Sequence, residues 1–157
     1  MRHRAGFVFV ASPRAVTPYH LDHNHNFLLQ IAGRKTVYVW EPLDRSVVSE
    51  AALELFHAQM SRQLVSFNED LLKTAHKFEL EPGLGAYMPT TTPHLVINGD
   101  NPSVTISVCY HSSIAWKQET LCRANFALRR LGVRPFRSGA RRCETSWSTG
   151  AIARTSP

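Results

Sequence analysis

Thr17-Pro18-Tyr19-His20-Leu21-Asp22 sets an imidazole and a carboxylate two residues apart. In an extended segment such residues project to the same side, so His20 and Asp22 can grip one ion together, which adjacent residues could not. His94 lies seventy-two residues after Asp22, behind the proline-rich approach Pro89-Thr90-Thr91-Thr92-Pro93, and is the candidate third ligand, delivered by a facing strand. Two imidazoles and one carboxylate on one face of an ion leave three positions open, the donor set with which non-haem iron(II) sites take a chelating cosubstrate and dioxygen. Structural zinc would prefer four closed ligands, often thiolates, and Cys109, Cys122 and Cys143 all lie far from these positions in sequence. A His-x-Asp pair with a remote histidine arises often by chance, so the surrounding elements have to support it.

Those elements read as strands. Short apolar runs separated by turn signals fill the first hundred residues, the pattern of an all-β sandwich or barrel with one helical insertion. Residues 7–11 form a strand that Ser12-Pro13 ends. Residues 27–31 and 36–40 are β-branched or aromatic runs joined through Gly33, read as a hairpin. Ser49 caps a helix to about Met60, with Leu53, Phe56 and Met60 at helical spacing and Glu50 and Glu54 near its positive end. A short helix near 68–75 follows, then a strand at 77–81, a turn at 82–85 and a strand through Met88. Residues 94–98 are expected to pair with 103–110 as a second hairpin. From 113 to 131 the period becomes helical, and Leu121, Ala124, Leu128 and Leu131 form a stripe that must bury against the domain or a second copy of the chain. The organisation is thus a β core over 1–112, a C-terminal helix over 113–132 and a disordered basic tail over 133–157.

Composition sets outer limits. With 43% apolar and 19% charged residues the chain is an ordinary globular protein, and no apolar run approaches the roughly 20 residues that would cross a bilayer. Arg2 and Arg4 before the apolar 6–11 imitate a secretory leader, but the run is too short and is read as a strand, giving a cytoplasmic protein. Three cysteines without a CxxC spacing argue against a disulfide framework. The net charge of +6 resides in the tail: beyond Cys122 eight arginines face Glu144 alone. Such a tail could neutralise phosphates, so contact with nucleic acid is confined to it.

Two blocks carry a resemblance. Thr17 through Lys35, with the metal pair, Asn26, the Gln30-Ile31-Ala32-Gly33 turn and a lysine, and Leu80 through Pro89 leading to His94, are similar to the JmjC and cupin-like 2-oxoglutarate oxygenases. That group includes protein asparaginyl hydroxylases and bacterial jumonji-like proteins, and the resemblance runs from about Phe7 to Arg130. It implies a mainly β, double-stranded β-helix (cupin or jelly-roll) fold and an Fe(II)- and 2-oxoglutarate-dependent hydroxylase acting on a protein or other side chain. His20, Asp22 and His94 would bind iron, Thr17 and Lys35 would hold the distal carboxylate of 2-oxoglutarate, and Asn26 matches a position near the cosubstrate. Strand parity agrees for Lys35, which shares a face with Val37 and Val39 and points into the barrel, where its ammonium needs an anionic partner.

The remaining histidines count for less. His23 and His25 differ in parity from His20 and Asp22 and read as surface groups or supports of the site, His57 and His76 as exposed, and His111 as following the last strand. Trp40 and Tyr87 read as packing aromatics, and Cys109 stands where asparaginyl hydroxylases place an amide. Relatives usually carry a longer region before the metal pair than the nineteen residues here, which leaves a second class of function open: a truncated, non-catalytic cupin-like metal-binding or interaction module. An open sheet edge would then invite pairing with a second chain. A cupin of another enzymatic class is the weakest alternative, since such sites generally use more histidines and no His-x-Asp.

Overall fold

The computed structural model describes residues 2–42, 44–60 and 66–135; the tail expectation falls, from 136 onward, outside the described residues. Among the described residues eight strands are formed: β1 (Arg2–Ala11), β2 (Val16–His20), β3 (His25–Ala32), β4 (Lys35–Val39), β5 (His76–Leu80), β6 (Gly85–Met88), β7 (His94–Asn98) and β8 (Ser103–His111). Helix α1 (Glu50–Gln59) and a 3-10 turn (Glu69–Thr74) interrupt them between β4 and β5, and α2 (Ser113–Arg130) follows β8.

The strands form two antiparallel four-stranded sheets in the orders β1-β8-β3-β6 and β2-β7-β4-β5. This is the jelly-roll order, the double-stranded β-helix. Two expected pairings are corrected by it. β3 does not pair with β4, nor β7 with β8; each couple reverses direction across the gap between sheets, so that β3 and β8 become neighbours and β4 and β7 likewise. A glycine turn signals that the chain reverses, and leaves open which strand then lies alongside. At this corner the two reversals touch: Gly33 sits at φ +72, a side chain there would strike the Pro102 carbonyl oxygen, and the Gly99 amide donates to the Arg34 carbonyl at 2.8 Å.

Between the sheets Leu28, Val37, Val39, Leu80, Met88 and Val96 make one apolar cluster. The inner face of β8 is polar instead, with Ser103, Thr105 and Ser107 buried while Val108 on the opposite face is 40% exposed. These polar groups are satisfied in place: Thr105 Oγ1 donates to Gln30 Oε1 at 2.9 Å and Gln30 Nε2 donates to the Ala32 carbonyl at 2.7 Å.

A helical layer closes one side. Ser49 Oγ accepts from the Ala52 amide at the start of α1, and Ser112 Oγ accepts from the Ala115 amide at the start of α2. The helices meet through Leu53, Phe56 and Cys122, joined by Leu21 and Val48, and Arg129 grips the buried Glu54 carboxylate at 2.6 and 3.2 Å. The buried positions of α2 are Ala115, Cys122 and Asn125, of which Cys122 packs on Leu53 and Phe56 of α1. Of the two partners expected for the leucine stripe, the domain itself is not one: Leu121 is 45%, Leu128 39% and Leu131 78% exposed. A tight helix–helix contact favours small residues over long ones at its centre, which the apolar periodicity alone did not reveal. No helix among the described residues is long and apolar enough to cross a membrane.

The burial pattern predicts an asymmetry. Leu80→Ala, at 1% exposure, should lower the unfolding free energy by about 2–5 kcal/mol, while Val8→Thr on the outer face of β1 should change it by no more than about 0.5 kcal/mol, both read from urea midpoints.

Candidate metal centre

The site forms where β2 leaves its sheet. Val16 and Thr17 pair with Ile97 and Val96, the register then shifts across Pro18, and His20 emerges opposite His94. Proline, which has no N–H to give to a ladder, marks this irregularity. The result brings the two imidazole rings to 4.1 Å between centroids. Beyond His20 the chain alternates: Leu21 is fully buried in the helical cluster, whereas His20 and Asp22 both line the cavity between the sheets.

The segment is held in that pose from the other side. The Thr91 amide donates to the Asp22 carbonyl at 2.8 Å, and Thr90 Oγ1 donates to the His23 carbonyl at 2.8 Å. Thr91 adopts φ +58, a left-handed conformation that costs a β-branched residue on the order of 1–3 kcal/mol. The approach to His94 is thus a strained turn fastened to Asp22 and its neighbour His23, a feature that the sequence showed only as a proline-rich run.

Each histidine has one nitrogen committed. His20 Nδ1 lies 2.7 Å from the Pro18 carbonyl and His94 Nδ1 lies 2.9 Å from the Thr92 carbonyl. A carbonyl only accepts, so each Nδ1 carries a proton and Nε2 is the ring nitrogen that faces Asp22 as the metal donor. Those Nε2 atoms stand 3.9 and 3.8 Å from the two Asp22 carboxylate oxygens. One donor atom from each of the three residues lies within 4.8 Å of the others, with His94 buried and His20 and Asp22 half-buried. Two imidazoles and a carboxylate fit a divalent ion by the chemistry of the donor set.

The cavity measures about 510 Å³. Lys35 lines it, 6% exposed and without an ion pair to any described residue, and burial holds its amine below the usual lysine range. Asn26 is buried there too, its Oδ1 accepting from Ser107 Oγ at 2.8 Å, and Cys109 Sγ lies 3.4 Å from the same hydroxyl. Thr17 also lines the cavity but is exposed, at the open side near β1. The six residues singled out from the sequence therefore converge on one space. Reading the sequence missed Phe7, Phe9, Asn24, Asn98 and Ser107 in the same lining. For Ser107 a signal existed, a Ser-Thr-Ser-Cys row on alternate positions of β8 that is unusual for a strand's buried face.

Two aromatic residues and one histidine behave as expected. Trp40 packs edge-on against Tyr19, Tyr87 stacks with His25, and His76 is exposed. His57 is a correction: expected on an exposed helix face, it is 2% exposed because α2 covers that face of α1, and burial, aided by His23, Arg123 and His111, pushes its imidazole down to about 4. His25 is half-buried, bonded to Tyr87 Oη at 2.8 Å and Ser112 Oγ at 2.9 Å.

A sequence profile of the JmjC domain matches residues 4–118, most of the chain and all of the cavity-lining residues. The chain belongs to the JmjC-domain family. Solved structures similar to this JmjC domain include vicilin from Corylus avellana (hazelnut), at 14% identity over 70% of this chain and 22% of that one, with a TM-score of 0.46. Oxalate decarboxylase from Bacillus subtilis gives 13% identity over 83% of this chain and 28% of that one, with a TM-score of 0.48. The DMSP lyase DddQ from Ruegeria pomeroyi DSS-3 gives 14% identity over 70% and 39%, with a TM-score of 0.45. The JmjC domain thus spans well under half the length of each of these proteins. A comparison with curated protein sequences returns no match.

Removal of one donor should be read directly in metal affinity. In anaerobic calorimetric titration with Fe(II) or Mn(II), His94→Ala should weaken binding by more than the roughly 10–100-fold that loss of a supporting hydrogen bond costs, and His76→Ala should leave that tightest site unchanged.

Proposed function

We propose that this JmjC domain is an Fe(II)- and 2-oxoglutarate-dependent oxygenase that hydroxylates a protein or other side chain. The observation that carries the reading is the presence in one cavity of a three-donor cluster, His20, Asp22 and His94, and of the buried Lys35 amine, which makes no ion pair with a described residue. Iron(II) held by the three donors would keep positions open for the keto acid and dioxygen, supplying the oxidative decarboxylation that turns 2-oxoglutarate, dioxygen and a C–H bond into succinate, carbon dioxide and a C–OH.

The chain's own residues have three tasks in this scheme. Nδ1 hydrogen bonds to the Pro18 and Thr92 carbonyls fix the tautomer and aim of both imidazoles before any ligand arrives. Lys35 offers its charge to the remote carboxylate of the cosubstrate, with Thr17 adding a hydroxyl from the rim and Asn26 a held amide. Leu28, Met88 and Val96 give the cavity an apolar wall that excludes water from the cosubstrate's methylenes.

One observation favours a second reading, a cupin-like metal-binding module without turnover. Phe7 and Phe9 are 50% and 48% exposed beside Thr17, so the cavity is open on the β1 side. Succinate formation with Fe(II), ascorbate and 2-oxoglutarate separates the two. The oxygenase gives turnover that Asp22→Ala abolishes, whereas the module binds iron and forms no succinate above the variant's background.

Lys35 supplies an independent check. Lys35→Met removes a buried charge that nothing in the described chain neutralises, so the melting temperature of the metal-free protein should stay level or rise. The same variant should lose the stabilisation that 2-oxoglutarate gives the Mn(II)-loaded wild type.

A further inference from the structure

A second group of donors lies behind the first. His23, in the link from β2 to β3, His57 on α1 and Glu119 on α2 each offer one ligand atom, and these atoms lie within 4.8 Å of one another. They come from three elements far apart in sequence. His57 is 2% exposed, and both of its ring nitrogens are buried without a hydrogen-bond partner among the described residues. His111 Nε2, at the end of β8, is likewise buried without a hydrogen bond and stands 3.9 Å from Glu119 Oε2. Burying such nitrogens without a hydrogen bond costs on the order of 1–3 kcal/mol each, which a bound cation would recover.

We propose that His23, His57 and Glu119 form a second divalent-metal site of zinc type, with His111 beside it, which clamps α1 and α2 onto the segment that carries Asp22. Two imidazoles and a carboxylate with one position left open form a recognised zinc donor set. A second cavity of about 720 Å³, lined in part by His23, Asn24, His111 and Glu119 but not by His57, borders the group. Arg123 holds the other Glu119 oxygen at 2.9 Å and donates from Nε to the His57 carbonyl at 3.1 Å, so the carboxylate and the helix bearing His57 are steadied by one side chain. His23 lies flat on Phe56, with 4.0 Å between ring centroids and 10° between planes, which fixes its ring. Asn24 borders both cavities, so the clamp sits against the first metal centre without sharing a donor with it. This site does not depend on the oxygenase reading.

The full chain, free of any histidine tag and stripped of metal, is titrated with Co(II) as a spectroscopic stand-in for zinc, with stoichiometry by elemental analysis. Wild type should take two equivalents, Asp22→Ala/His94→Ala one, and addition of Glu119→Gln to that pair none. The residual cobalt in Asp22→Ala/His94→Ala should show the strong visible bands of four-coordinate Co(II), and Zn(II) should raise that variant's melting temperature. Glu119 is half-buried, so its amide replacement tests the site without emptying the core; His57→Phe, which keeps a flat ring, is the second variant and should also remove one equivalent. A single equivalent in wild type with none in Asp22→Ala/His94→Ala, or a second equivalent indifferent to Glu119→Gln and His57→Phe, overturns the proposal.

Discussion

The centre depends on the alternation of three residues. His20 and Asp22 can share one cavity only because Leu21 between them is committed to the other side, fully buried among Val48, Leu53, Phe56 and Cys122. Moving the segment by one residue would send an imidazole and a carboxylate into an apolar cluster and a leucine into the cavity. Burial of Leu21 is worth on the order of 1.5–3 kcal/mol, and burying a carboxylate unpaired would cost several times more. The helical layer therefore acts on the site at a distance, by fixing the phase of the strand that carries two of its donors.

The same logic explains the jelly roll's unusual faces. Asn26, Gln30, Thr105 and Ser107 are buried on sheet faces that a solid core would fill with valine and leucine, and Phe27, Leu29 and Ile31 are turned outward. Polar residues on the inside cost little here because they bond one another, Thr105 to Gln30 and Ser107 to Asn26, and the second pair borders a cavity about 510 Å³ in volume. Strand β8 shows the exchange most plainly, alternating Ser103, Thr105, Ser107 and Cys109 inward with Val104, Ile106 and Val108 outward.

Much of this was legible from residue types. Strand positions, the α1 cap at Ser49 and the grouping of His20, Asp22 and His94 follow from period, turn chemistry and parity, all of which act over a few residues. Lys35 was placed inside by the same parity rule. What failed was non-local. The β3–β4 and β7–β8 reversals looked like hairpins because a turn does not record which strand it will face across 10 Å. The stripe Leu121, Leu128 and Leu131 is not covered by the domain, which instead buries Ala115, Cys122 and Asn125 of α2. His57 was misread for the same reason, since only the arrival of α2 buries it.

Anomalous diffraction from crystals soaked with Mn(II) or Fe(II) under argon addresses the centre itself. The account requires a peak roughly 2.0–2.2 Å from Nε2 of His20, Nε2 of His94 and one Asp22 oxygen, on the cavity side of the segment. A peak that avoids these three atoms, or imidazoles turned so that Nε2 faces away from Asp22, would contradict it.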